Sequence, residues 1–131
     1  MNESIPFLDL VTPHMKLEKE LMDVVQTALR RAGFIGGDMV DTFEREFATF
    51  CEVRHCIGVS SGTDALLLAL RASGIGPGDM VVTVPNTFIA TVEAIVQSGA
   101  YPDFVDVDDK TCLMDMEKLD EYLTTACTYE R

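Results

Sequence analysis

The chain has 131 residues, room for one modest domain, and 47% of them are apolar, enough to build a core. Ten basic residues against 22 acidic ones leave a net charge of −12. That balance argues against nucleic acid, whose phosphates require basic patches, and against anionic membrane surfaces.

The opening MNESIPFLDLV has neither a basic start nor a proper apolar signal core, so no secretory signal is read and the cytoplasm is the expected location. Thr12 and Pro13 read as the N-cap and first residue of a helix. Leu17, Leu21, Val24, Ala28 and Leu29 then recur at helical spacing, and Gly33 is placed to close it. After the loop Phe34 to Gly37, a second helix starts near Asp38. It carries Val40, Phe43, Phe47 and Phe50 on one face, expected to pack against a neighbour.

Beyond residue 54 the rhythm changes. Cys56 to Val59 reads as a short strand, Thr63 to Ser73 as a helix closed by Gly74, and Gly76-Pro77-Gly78-Asp79 as a turn. Met80 to Val84 is a strand, Thr87 to Ser98 a helix with Gly99 as its C-cap, and Phe104 to Val107 a further strand. Asp115 caps a last helix through Leu123. Strands that are nearly all apolar, alternating with helices, predict an α/β fold with a parallel sheet. No apolar run approaches the length of a membrane span; Ala65 to Leu70 is among the longest. Cys51, His55 and Cys56 lie close together, but their spacing fits no zinc pattern and shows no fourth ligand. No metal is expected, and these thiols, with Cys112 and Cys127, read as free cysteines of the kind found in cores.

The stretch Val59-Ser60-Ser61-Gly62-Thr63-Asp64 raises the functional question. A strand, a hydroxyl-rich turn and a helix set free backbone N–H groups at a helix start, where the dipole favours an anion. Gly62 leaves room for a phosphate, and Ser61 and Thr63 add hydroxyl donors. The plainer alternative is that Ser61 only caps the helix. Two rival motifs fail on missing residues. Gly58-Val59-Ser60-Ser61-Gly62 fits the nucleophile elbow G-x-S-x-G, but the histidines, His14 and His55, both lie upstream of the serines. A nucleotide P-loop needs a lysine, and none lies between Lys19 and Lys110. The next strand end, Val84 to Thr91, places Phe88 at a helix start. There it either packs on the sheet or stacks on a flat ring beside the phosphate.

Five segments in order carry a resemblance: IPFLDL, GFIGGDMVDTFEREFATFC, GVSSGTDALLLAL, VPNTFIATVEAI and YPDFVDVD. Together they resemble the DegT/StrS-type sugar aminotransferases, pyridoxal-phosphate enzymes of the aspartate aminotransferase (type I) fold. The resemblance implies the cofactor pyridoxal 5'-phosphate, with Ser61, Gly62 and Thr63 at its phosphate and Phe88 stacked on its pyridine ring. It implies amino transfer, usually from glutamate, to a nucleotide-linked keto-sugar, in a homodimer whose active sites form between subunits. It also implies that residues 1–54 are an N-terminal helical segment and 55–131 the first part of the large cofactor-binding α/β domain.

Family members are much longer than this chain. Their aldimine lysine and the acid opposite the pyridinium nitrogen belong to a region beyond the matching one. Lys16, Lys19, Lys110 and Lys118 do not match the aldimine motif, and no residue here is assigned a catalytic role. In that fold the strand at Cys56 to Val59 has neighbours that come later in sequence. Without them its unpaired groups cost on the order of 1 kcal/mol or more each. The expectation is that the strands close up into a three-stranded sheet or that the chain associates through the apolar helix Ala65 to Leu70. Two alternatives stand beside the aminotransferase: a non-catalytic α/β module binding a phosphorylated ligand or partner chain, and part of a sugar dehydratase of the same fold.

Overall fold

The computed structural model describes residues 7–125. Contacts along the chain divide it into two compact units, one ending at Gly58 and the other beginning at Val59.

The first unit holds α1 (Val11–Arg31) and α2 (Asp38–Phe50). The cap of α1 is Asp9 rather than Thr12. Its Oδ1 accepts the N–H groups of Val11 and Thr12, each at 3.0 Å. A carboxylate serves the positive end of a helix better than a hydroxyl does, because it brings charge as well as an acceptor. Bonding to Thr12, through its side chain and its N–H, and to the Val11 N–H holds the Asp9 carboxyl below its ordinary value. Pro13 still falls in the first turn, where a missing N–H leaves no gap. At the other end the left-handed residue is Ala32, at φ 49°, and not Gly33. The Gly33 N–H reaches back to the Ala28 carbonyl at 3.0 Å, so the closing loop of bonds is set one residue earlier than expected.

On α2 the aromatic stripe stacks on itself. The Phe43 and Phe47 ring centroids are 5.5 Å apart, and those of Phe47 and Phe50 are 6.1 Å apart. The stripe is nevertheless exposed, to 81% at Phe50, against the expectation of a packed face. The thiols also differ from expectation: Cys51 and Cys112 are exposed and Cys56 is half-buried, while Cys127 lies outside the described residues. Cys56 to Val59 does not form the expected strand. No ladder lies beside it to take its N–H groups, and the Gly58 N–H donates instead to Glu44 Oε1 at 2.6 Å.

The second unit runs α3 (Gly62–Ala72), β1 (Met80–Thr83), α4 (Ile89–Ser98), β2 (Tyr101–Phe104) and α5 (Met116–Thr125). α3 ends in a Schellman arrangement. Gly74 turns left-handed at φ 80°, its N–H bonds Arg71 O, and the Ile75 N–H bonds Leu70 O, both at 3.0 Å. Among the described residues the sheet is two parallel strands and not the expected three, with Met80 opposite Tyr101 and Thr83 opposite Phe104. β2 lies three residues earlier than the apolar run Phe104 to Val107 suggests. The reason is its register. The Tyr101 N–H bonds Asp79 O and the Val105 N–H bonds Thr83 O, each at 2.9 Å, and β1 stops there, before Pro85. Since Tyr101 and Val105 point their N–H groups at β1, Pro102 lies where the missing donor faces the open edge. Val107 then pairs antiparallel with Met114 in an isolated bridge. Asp115 accepts from the N–H groups of Glu117 and Lys118 and caps α5, as its position predicts.

The core of this unit is small: Ala90, Ala94 and Ile95 of α4 with Ala100 and Val105. α4 therefore packs between α3 and β2. The tight turn from α4 into β2 passes through Gly99, at φ 93°, where a Cβ would stand 2.9 Å from Pro77 Cγ. α3 buries none of its residues, and Leu66 and Leu68 stay 43% and 49% exposed.

Candidate phosphate site

The turn into α3 is fixed by its own side chains. Ser61 is the N-cap, with extended backbone, and its Oγ accepts the Asp64 N–H at 3.1 Å. The Ala65 N–H is taken by Ser61 O at 3.0 Å. The Ser60 hydroxyl donates to the Asp64 carboxylate. The Ala65 N–H thus makes the first bond of the helix, and of the N–H groups that a helix start leaves open the cap satisfies that of Asp64. Those of Gly62 and Thr63 meet no acceptor among the described residues. A Cβ built on Gly62 meets no atom within 4 Å beyond its chain neighbours, so the space beside Gly62 is open.

Phe88 is the N-cap residue of α4, in extended conformation, and its ring is 75% exposed. It does not pack on the sheet. Nearby, the Thr87 and Thr91 hydroxyls share a hydrogen bond of 2.8 Å, which ties the turn before α4 to its first turn.

The two helix starts lie at the same end of the unit. α3 and α4 pack more extensively than any other pair of elements. Near their C-termini Arg71 Nη2 donates to Gln97 O at 3.1 Å. Side-by-side packing with the C-terminal ends bonded together means that the helices run in the same direction. Gly62 stands as far before Arg71 as Phe88 stands before Gln97, a rise of about 14 Å in each case. The open amides and the exposed ring therefore both stand at the N-terminal ends of these two helices. They stand on neighbouring helices, whose axes pack about 8–10 Å apart.

Two clefts lie elsewhere. One of about 260 Å³ follows β2 and is lined by Phe104, Asp106, Lys118, Glu121 and Tyr122. There Lys118 Nζ bonds Asp106 at 3.1 Å and approaches Asp115 at 3.7 Å. The Val107 N–H, and then Lys118, hold the Asp106 carboxyl down; Asp106 in turn raises Lys118. The Tyr122 hydroxyl, 2.6 Å from Asp103, and the Phe104 N–H lower the Asp103 carboxyl. Another cleft, of about 270 Å³ in the first unit, is lined by Asp41, Glu44, Arg45, Arg54, His55 and Cys56.

Sequence reading singled out Ser61, Gly62, Thr63 and Phe88. It missed Asp64 and Glu44. Asp64 had a local signal, since Ser61-x-x-Asp64 follows the capping-box spacing. Glu44 had none, because it meets Gly58 only through the folded chain.

Solved structures that share this fold include aminotransferases, among them a DegT DnrJ EryC1 StrS aminotransferase from Brucella abortus, with a TM-score of 0.88 at 33% identity, over 95% of this chain and 33% of its own. S. venezuelae DesV, solved in complex with a ketimine intermediate, superposes with a TM-score of 0.87 at 37% identity, over 92% of this chain and 33% of its own. NtdA of Bacillus subtilis, solved with bound cofactor PMP, has a TM-score of 0.78 at 33% identity, over 81% of this chain and 24% of its own. The fold is thus part of the α/β fold of the pyridoxal-phosphate aminotransferases, with only a short stretch of its sheet.

Within that class, residues 15–128 match the DegT/DnrJ/EryC1/StrS aminotransferase family, and the chain belongs to it. A dTDP-3-amino-3,6-dideoxy-alpha-D-galactopyranose transaminase of Aneurinibacillus thermoaerophilus is 43% identical over 121 residues, 92% of this chain and 33% of that protein. The chain spans about a third of the length of the relatives it matches. No helix of the described residues is long and apolar enough to cross a membrane.

Proposed function

We propose that this chain forms the cofactor-phosphate end of a pyridoxal-phosphate aminotransferase acting on a nucleotide-linked keto-sugar, with an amino acid as donor. The observation that carries the reading is the pair of unspent N–H groups at Gly62 and Thr63, with open space beside Gly62. A phosphate monoester dianion suits them, since each N–H···O⁻ bond is charge-assisted and the α3 dipole adds to it. The Ser61 hydroxyl contributes a further donor: its oxygen already accepts from Asp64, and its proton remains free to donate outward. Phe88 offers an exposed ring face on which a pyridine ring can stack, covering it from water. When bound, pyridoxal phosphate supplies the electron sink that amino transfer needs.

The lysine that carries the cofactor is not among the lysines described here. Lys118 is held between Asp106 and Asp115, and Lys19 pairs along its helix with Asp23 at 3.9 Å. The chain's own share of the work is therefore binding and orientation. The reading extends to a cytoplasmic homodimer, in which another subunit helps to complete each site.

Calorimetric titration of the 131-residue chain tests it. Pyridoxal 5'-phosphate should bind, inorganic phosphate should compete, and pyridoxal without its phosphate should bind at least about tenfold more weakly, the effect of losing one charge-assisted hydrogen bond. Equal affinity for pyridoxal and its phosphate would overturn the reading.

A further inference from the structure

We propose that Asp64 is a positioning residue for the phosphate cup and acts through Ser60, an inference that rests on the reading above. Among the described residues, Asp64 alone bonds to the side chains of both serines of the turn. Its N–H donates to Ser61 Oγ at 3.1 Å, and its carboxylate accepts the Ser60 hydroxyl. These bonds assign different parts to two adjacent hydroxyls. The proton of Ser60 is committed to the carboxylate, so Ser60 does not serve the ligand. The oxygen of Ser61 is committed to the Asp64 amide, so its proton points away from that amide and is free for an acceptor in front of the helix.

The link from Ser60 to Asp64 closes a ring around Ser61, Gly62 and Thr63, the residues that carry the cup's donors. The Gly62 and Thr63 amides have no partner among the described residues. Gly62, lacking a Cβ, is the most flexible residue of the set. The side-chain bridge across the turn thus sets the angle of both amides before a ligand arrives, and less is lost in ordering them on binding. The carboxylate also brings a negative charge close to a site for an anion. Asp64 is therefore retained for its acceptor and in spite of its charge, and an uncharged acceptor should serve at least as well.

Four variants decide the point. Titration with pyridoxal 5'-phosphate should show Ser60→Ala weaker than the unaltered chain by about fivefold to tenfold, the effect of one hydrogen bond, and Asp64→Ala weaker by a smaller factor, because it also removes a negative charge near the anion. The double variant should be no weaker than either alone, because both remove the same bond. Asp64→Asn keeps an acceptor for Ser60 and should bind as tightly as the unaltered chain or more tightly. Melting temperatures measured alongside separate this role from a merely structural one, which would lower stability and leave the affinity of the folded fraction unchanged. If the unaltered chain binds and the alanine variants bind equally well, the role of Asp64 is overturned while the cup stands. A loss in Asp64→Asn equal to that in Asp64→Ala also overturns it. If the unaltered chain fails to bind, the cup itself falls and the role of Asp64 with it.

Discussion

Replacing Gly62 by alanine separates a phosphate site from a plain helix start, because only a phosphate site makes binding fall while stability holds or rises. Gly62 is not in the left-handed region, and its added Cβ would meet no atom within 4 Å beyond its chain neighbours, so the folded chain accepts the methyl without strain. Alanine also loses less backbone freedom than glycine and favours the helix by up to about 1 kcal/mol, less in a first turn than mid-helix. Melting temperature should therefore hold or rise. Binding should move the other way. Each Cα–Cβ bond on a helix tilts toward its N-terminus, so the methyl stands in the space ahead of the free amides. Displacing the phosphate from one of them forfeits a charge-assisted bond of about 1.5–3 kcal/mol, or about tenfold to a hundredfold in affinity. Circular dichroism melts and calorimetric titration with pyridoxal 5'-phosphate measure the two effects independently. A Gly62→Ala chain that melts no lower and binds as tightly as before would place the phosphate elsewhere and refute the reasoning.

Three further outcomes follow from other positions. Phe88→Ala should leave stability within about 0.5 kcal/mol, since the ring is 75% exposed, and should weaken pyridoxal 5'-phosphate about fivefold without changing inorganic phosphate; parallel titrations check the difference. Gly99→Ala should cost about 2 kcal/mol or more in urea denaturation, because the residue sits at φ 93° and a Cβ would lie 2.9 Å from Pro77 Cγ and 3.2 Å from Pro77 N. The Asp103 carboxyl is held below its ordinary 3.8, chiefly by the Tyr122 hydroxyl. The bond's contribution is therefore present above that value and lost as pH falls through the lower folded one. Tyr122→Phe should reduce stability at neutral pH and flatten its decline on acidification; denaturation midpoints followed from neutral pH down to about pH 2 check this, and an unchanged profile would show that the bond carries no pH dependence.

The elements with local signals were legible in the sequence. Asp115 announced α5, Gly74 closed α3, and the helical spacing of apolar residues gave α1 and α2 to within a few residues. The misses have a common origin in pairing. Cys56 to Val59 has strand composition, but a strand exists only with a partner for its N–H groups, and here Glu44 takes the Gly58 donor. β2 was misplaced because apolar character peaks at Phe104 to Val107, whereas register is set by where β1 begins and ends. Similarly, Thr12 has the chemistry of a cap, but the helix starts earlier and Asp9, three residues before it, accepts the N–H groups of Val11 and of Thr12 itself. In each case the composition of the segment was read correctly and its partner could not be.

The turn at Ser60 to Asp64 offered two readings, a helix cap and an anion site, and the folded geometry shows that they do not compete. Here the capping Ser61 hydroxyl takes the donor of the third helical residue, Asp64, while the Ser61 carbonyl takes that of the fourth, Ala65. The first and second donors, on Gly62 and Thr63, meet no acceptor among the described residues. A capped helix therefore still presents two amides, and the cap helps by fixing their direction. What separates an ordinary helix start from a ligand site is then the space in front and what borders it. Here that space is open at Gly62, and the exposed Phe88 stands at the start of the adjacent helix. Neither feature follows from the serine, the glycine or the phenylalanine alone. Both depend on α3 and α4 running side by side, which Arg71 and Gln97 secure at the opposite end.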